Sequence, residues 1–434
     1  MEKNKFIMGT FVLIIGGLIT KVFGFIIKII YTRLIGPVGI SLYSLIIPTY
    51  SLIVTIAGFG MPLAISKMIS ENKNKSRDIM SSSIYILLAI NIIFMLIIII
   101  LSDFIANNLL NAPEVKILLI GATLAMPNMA IACIFKGYYY GKQKMLPNTI
   151  SNIIEQTIRI VFVIFIMPYF LKKSLVIGIL SFILVNIITE GASIITFIIL
   201  LPKYAKINIK DIKYHKDISN DLLHISVPLM SGKIIGSIGF FFEPIILSNT
   251  LKYIGYNSSF FIQEYGIYNG YSMSLLLLPT FFIVALSTSL VLEIAKYYAQ
   301  KNIKMVKRRC NQAVKISLIF GIIITLLIFF NRQFLLQLIY NTTLGSNYLA
   351  YLCLFFPLFY LEAPLSSILQ ALNKSKYVMK ITTISVFIKL LTMFIFTLFH
   401  IGIYGLIISE FVNILYIVIK NYQKVRLELK KELI

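Results

Sequence analysis

An all-α integral membrane protein with about twelve transmembrane helices, in two pseudo-symmetric six-helix lobes, is the fold this sequence predicts. Three observations carry that expectation. Of 434 residues, 58% are hydrophobic and 13% charged, and adding glycine raises the apolar share to about 63%, against about 45–50% in soluble domains. Apolar runs such as 92–101 and 316–330 recur about every 30 to 40 residues along the chain. A pattern of Gly, Ser, Pro and Ala positions occurs twice, 231 residues apart.

A bilayer core about 30 Å thick needs about 20 mostly apolar residues per helix. That window selects 6–31, 41–66, 80–101, 115–138, 147–170, 174–200, 222–248, 264–292, 311–331, 347–371, 377–399 and 402–421. The first run is too long for a signal-peptide core and lacks a small-residue cleavage site, so it is expected to stay as a span. Helices are required because unpaired backbone groups cannot face lipid, and these runs lack the alternation of a transmembrane strand.

Orientation follows from basic residues in the short connections. With the N-terminus inside, the inner segments hold 29 Lys and Arg and the outer ones six, namely Arg33, Lys116, Lys172, Lys173, Lys252 and Arg332. Both termini are therefore expected on the cytoplasmic side of the plasma membrane. The net charge of +23 reads as this topogenic signal plus attraction to anionic headgroups, with no nucleic acid partner. Cys133, Cys310 and Cys353 are scattered and odd in number, so no disulfide framework is expected. His215, His224 and His400 form no HxxxH pair, so no metal site is expected either.

The repeat reads Gly39-x-Ser41, Pro48-Thr49 and Ala64 in its first copy, and Gly270-x-Ser272, Pro279-Thr280 and Ala295 in its second. Thr149-Ile150-Ser151 matches Thr383-Ile384-Ser385 at an offset of 234. Six spans per half is an even number, so both halves enter the membrane in the same direction, as parallel repeats do. The expected division is a lobe at 1–205, a basic amphipathic linker at 206–221 lying on the cytoplasmic face, and a lobe at 222–434.

Ionisable side chains inside hydrocarbon cost about 2.5–3.5 kcal/mol each at a helix centre, so they mark pathways or pairs. The spans hold Lys21, Lys28, Arg159, Lys233 and Lys389 against Glu155, Glu190, Glu243, Glu362 and Glu410. Lys21 and Lys28 are seven residues apart, two turns along one helix face, and no acidic residue shares their span. Lys233 sits in the equivalent span of the second half, so these three cations are expected to converge on an anionic cargo. Glu155 and Arg159 are four apart and are expected to pair along their helix. The offset of 234 aligns Glu155 with Lys389, which suggests in addition a gating pair between halves. Glu243, Glu362 and Glu410 are the candidates for lining the second half or coupling transport to Na⁺ or H⁺.

Helix breakers add candidate hinges at Pro48, Gly58, Gly60, Pro62 and Pro279, in corresponding spans of the two halves. Gly137-Tyr138-Tyr139-Tyr140-Gly141-Lys142 imitates a phosphate loop, but it is one residue short and has Gln143 where Ser or Thr would bind magnesium. No Ser-His-Asp cluster, HExxH helix or cytosolic carboxylate pair supports an enzyme.

Several stretches then carry a resemblance. Thr20-Lys21-Val22-Phe23-Gly24-Phe25, Arg33-Leu34-Ile35-Gly36-Pro37-Val38-Gly39 and Gly60-Met61-Pro62-Leu63-Ala64 resemble the opening of polysaccharide-biosynthesis flippases. Phe135-Lys136-Gly137 through Met145, Pro147 and Ile154-Glu155-Gln156 resemble the central motif of the same family, as does 276–296. The chain resembles the sporulation branch of the MOP (multidrug, oligosaccharidyl-lipid, polysaccharide) exporter superfamily over nearly its whole length. The resemblance implies a MATE-like transporter with no resident cofactor, moving an undecaprenyl-pyrophosphate-linked oligosaccharide or peptidoglycan precursor by alternating access. Cell-wall or sporulation enzymes would be its partners.

Lipid II flippases carry a basic residue matching Lys21 and another displaced by one position from Lys28. They have charged groups where this chain has Ser274 and Leu277, and two more spans. Two rival readings differ in the residues they need. An ion-coupled multidrug or cation exporter would depend on Glu243, Glu362 or Glu410, and a non-transporting scaffold for envelope enzymes would depend on none of the intramembrane charges.

Overall fold

The computed structural model describes residues 2–71, 75–203 and 213–431. Among these, every regular element is helical. Ten helices are long and apolar enough to cross a membrane, or eleven when the pair Ser346–Cys353 and Phe356–Ala371, bent by 57°, makes one span. Lipid-facing character shows in large apolar side chains left exposed in mid-helix, among them Ile93, Ile188, Ile323 and Phe387. In water such a surface would aggregate; in a bilayer it is the solvated face.

The difference from twelve spans lies mainly in the first element. Helix α1, Glu2–Gly58, has 57 residues, about 85 Å at 1.5 Å per residue and far more than one bilayer core. It is broken at Gly36, whose φ of 64° and ψ of −172° lie in a region essentially reserved for glycine. Pro37 follows and supplies no N–H to the helical ladder. The expected spans 6–31 and 41–66 lie on either side of this break.

The chain packs as two compact units, Met1–Phe241 and Phe242–Ile434. The first contains α1, α2 (Met61–Glu71), α3 (Ser76–Phe104), α4 (Val115–Thr123), α5 (Met126–Gly141), α6 (Leu146–Val161), α7 (Met167–Leu171), α8 (Leu175–Leu200) and the first part of α9 (Lys216–Tyr253). Its core joins Met61, Ile65 and Ile69 of α2 to Met80 and Leu87 of α3, Ile134 and Tyr138 of α5 and Phe197 of α8. Tyr139 donates its hydroxyl to the Phe197 carbonyl at 2.9 Å, so this large ring is buried without an unmet donor.

The phosphate-loop imitation has a packing role here. A Cβ on Gly137 would lie 2.9 Å from the Pro62 carbonyl oxygen, and one on Gly141 would lie 2.9 Å from that of Ser66. The two glycines are a small-xxx-small face that lets α5 close on α2.

The unit boundary falls inside α9, later than the expected linker at 206–221, of which 206–212 lies outside the described residues. The start of α9 belongs to the first unit for a packing reason. Leu222 is fully buried in the α2–α3–α5 core, and the Ser237 and Thr55 hydroxyls share a 2.8 Å hydrogen bond. Gly60, with φ of 65°, is the contact point: a Cβ there would meet the Ser226 carbonyl oxygen at 2.9 Å.

The second unit contains the rest of α9, α10 (Ser258–Gly266), α11 (Ser274–Leu277), α12 (Thr280–Ala299), α13 (Ile303–Phe330), α14 (Arg332–Tyr340), α15 (Ser346–Cys353), α16 (Phe356–Ala371), α17 (Ser375–Thr397) and α18 (Tyr404–Lys431). Its core is anchored by Tyr360, which donates to the Leu276 carbonyl at 2.7 Å, and by Phe356, stacked on Phe359 with ring centroids 4.6 Å apart. A wide π-helical stretch, Ile267–Met273, links α10 to α11.

The expected hinges coincide with breaks in two places. The α1–α2 junction runs from Gly58 through Phe59 and Gly60, both at positive φ, with Pro62 in the first turn of α2. Pro279 sits at the N-cap of α12, just after α11 ends. Pro48 lies inside α1.

Candidate functional site

Helix α6 carries Asn148, Ser151, Glu155 and Arg159 at spacings of three and four, which puts them on one face; the first three are buried. Helix α8 answers with Asn186, Thr189, Glu190 and Ser193 at similar spacing. The Ser151 and Ser193 hydroxyls meet at 2.5 Å. Glu155, 7% exposed, accepts a charge-assisted bond from Lys136 of α5 at 3.4 Å. Arg159 reaches the other way, donating through one amino group to Asn186 Oδ1 at 2.8 Å and Thr189 Oγ1 at 3.4 Å.

The expected Glu155–Arg159 pair along α6 is therefore replaced. Each side chain finds a partner on a neighbouring helix, because the buried face of α6 is enclosed by α5 on the Glu155 side and α8 on the Arg159 side. Glu190 lies within electrostatic reach of Lys136, Glu155 and Arg159. Lys136 is the site residue that the sequence reading missed: it lies near the end of the expected span 115–138, where a basic residue looks like part of the connection, and α5 runs on to Gly141 and carries it inside. The signal was available in the unbroken run Met126–Gly141, which needs no turn before Gly141.

In the second unit, Lys389 of α17 places its ammonium 2.6 Å from Glu243 of α9 and 2.6 Å from Glu410 of α18. Both carboxylates are almost fully buried. Tyr265 of α10 donates to Glu243 Oε1 at 3.3 Å. Glu362 of α16 lies within electrostatic reach of Glu410 and Lys389. Lys389 is thus paired with carboxylates of its own unit, and Glu155 with Lys136 of its own.

Lys21 and Lys233 are exposed, and neither makes an ion pair or hydrogen bond among the described residues. Lys28 is half-buried and has interactions of its own. All three belong to the first unit. Among the described residues no group of three His, Cys, Asp or Glu side chains is placed to hold a metal ion, and Cys133, Cys310 and Cys353 are free thiols.

The first unit also contains a pocket of about 90 Å³ lined by Tyr43, Ile46, Tyr50, Arg159, Phe182 and Asn186. A bundle of long apolar helices, broken at Gly36, around Gly60 and at Pro279 and with an ion cluster largely buried inside each unit, suits a multi-pass membrane transporter. The same fold is seen in an inward-facing multidrug resistance MATE family transporter of the MOP superfamily, at a TM-score of 0.76 and 15% identity over 95% of both chains. It is seen again in a MOP superfamily transporter from Pyrococcus furiosus, described for the reverse polarity of its binding pocket, at a TM-score of 0.68 and 16% identity over 99% of this chain and 96% of that one.

The chain belongs to the polysaccharide biosynthesis protein family, whose pattern matches residues 6–291; the MatE pattern matches 267–395. It is similar to stage V sporulation protein B of Bacillus subtilis, 30% identical over 90% of this chain and 77% of that protein. It is also similar to the lipid II flippase MurJ of the same organism, 28% identical over 37% of this chain and 32% of that protein.

Proposed function

We propose that the chain is a flippase that carries an undecaprenyl-pyrophosphate-linked oligosaccharide or peptidoglycan precursor across the cytoplasmic membrane by alternating access, in cell-wall or spore-cortex synthesis. The observation that carries this reading is the pair Lys21 and Lys233. Both are exposed on membrane-spanning helices, neither is ion-paired among the described residues, and the family is named for polysaccharide biosynthesis. A cation kept at that cost, uncompensated, is suited to a phosphorylated guest. Lys28, on the same face of α1 as Lys21, adds to the positive stripe. The lipid tail stays in the bilayer while the headgroup crosses. The Lys and Arg asymmetry of the connections supports cytoplasmic termini, and envelope or sporulation enzymes would supply and consume the cargo.

Lys21→Ala is expected to abolish complementation of a strain lacking the protein while its abundance in membranes is unchanged. Full complementation would remove Lys21 from the headgroup site. A second reading, ion-coupled export, is favoured by the acidic cluster Glu243, Glu410 and Glu362 around Lys389. It combines with the first if Na⁺ or H⁺ drives the flippase. Dye efflux that depends on these glutamates and ignores Lys21 would favour a drug exporter instead.

A further inference from the structure

Arg159 is the fourteenth residue of the 26-residue span Leu146–Leu171, and Asn186 the twelfth of the 26-residue span Leu175–Leu200, so the guanidinium lies at mid-membrane depth. Its two hydrogen bonds, to Asn186 and Thr189, are to neutral groups and use a single amino group. Glu190 is within electrostatic reach but is shared with Lys136 and Glu155, and no ion pair to the guanidinium forms among the described residues. The remaining N–H edge of a planar five-donor group is left for the pocket that Arg159 lines.

The lining of that pocket is also aromatic. Tyr43 and Tyr50 line it with Phe182. Tyr43 is held edge-on by Tyr31 at 4.9 Å and Phe182 at 5.9 Å, and Tyr31 and Phe182 stack at 4.0 Å. The Tyr43 and Phe182 rings are therefore packed in place before any ligand arrives, which lowers the entropic cost of binding. The cavity, of about 90 Å³, combines apolar walls with few aimed polar groups, as small-ligand sites do. Directly after Arg159 the helix widens into a π-helical stretch, Phe162–Ile166, a feature common at functional sites.

We infer that this pocket binds an acidic sugar, with the pyranose ring against Tyr43 and Tyr50 and its carboxylate or phosphate ester on the free edge of Arg159. Two parallel N–H donors match a planar carboxylate or two phosphate oxygens. Asn186 and Thr189 orient the guanidinium from behind. This deepens the flippase reading by assigning the glycan part of the cargo an acidic residue, and it rests on that reading only for the source of the sugar.

The test is calorimetric titration of the full-length protein in lipid nanodiscs with methyl glucuronoside, glucose 1-phosphate, methyl glucoside and inorganic phosphate. Both acidic sugars are expected to bind about tenfold more tightly than methyl glucoside, the gain of one charge-assisted contact. Arg159→Gln should erase that ratio and Arg159→Lys should keep part of it. Tyr50→Leu should weaken acidic and neutral sugars by the same factor and leave the ratio intact; this also tests the site if Arg159→Gln fails to fold. Equal affinity for neutral and acidic sugars would overturn the inference. So would a ratio that survives Arg159→Gln, or inorganic phosphate binding as tightly as glucose 1-phosphate. Because the titration needs no transport, a protein that binds acidic sugars but moves no lipid-linked glycan would sink the flippase reading and leave this one standing.

Discussion

The two units hold their buried charge in opposite ways. In the first, each cation has few acidic partners: Lys136 has Glu155 at 3.4 Å, and Arg159 has only the neutral Asn186 and Thr189 as hydrogen-bond partners. In the second, the mid-span cluster has Lys389 shared by two carboxylates, Glu243 and Glu410 at 2.6 Å each, with Glu362 close by; buried Glu428, near the end of α18, has two lysines instead. The repeat aligns Glu155 with Lys389, so the same place in each half carries opposite sign and the surroundings have adjusted to match. A unit with donors to spare suits an anion, and one with carboxylates to spare suits a proton or cation. Fold symmetry is therefore a poor guide to chemical role here.

Breaking the second cluster should have the largest effect. Lys389→Met leaves two nearly fully buried carboxylates facing each other, and loss of one partner in a buried pair costs about 3–5 kcal/mol. A large drop in thermal stability in detergent is expected, with part of it restored in the double variant that adds Glu243→Gln. An unchanged melting temperature would mean that the cluster is solvated and the contrast between units overstated.

Lys136→Met should cost less, about 2 kcal/mol. Its bond to Glu155 is longer, and the Ser151 hydroxyl, 3.5 Å from the same carboxylate oxygen, still serves that group. The ordering of the two melting-temperature losses is the informative quantity; a greater loss for Lys136→Met would reverse the comparison.

Much of the fold was legible in the sequence because a membrane demands long apolar runs and closed backbone hydrogen bonding, and both leave marks in composition. The breaks at Gly60 and Pro279 were legible for the same reason: each interrupts an apolar run with a residue that cannot continue a helix at no cost. The sharper break at Gly36 was quoted only within a family motif, since a lone Gly-Pro at the edge of a run looks like an ordinary connection. Ion partners were less legible. Spacing along α6 brings Glu155 and Arg159 together on one face, but which neighbour each meets is decided by α5 and α8, and a one-dimensional pattern holds no record of that. Lys136 was hidden because basic residues near a span end are counted as loop. The glycines at 137 and 141 were read for chemistry, and the close approach of α2 explains them by packing.

The central claim is that the uncompensated cations of the first unit receive a phosphorylated headgroup. Its most direct test is transbilayer movement of a headgroup-labelled lipid-linked oligosaccharide in proteoliposomes, comparing the wild type with Lys21→Gln and Lys233→Gln at equal reconstituted amounts. Movement by the wild type, and a loss of at least about tenfold in each variant, as expected for a charge-assisted contact, is the predicted result. Movement at the wild-type rate in both variants would contradict it.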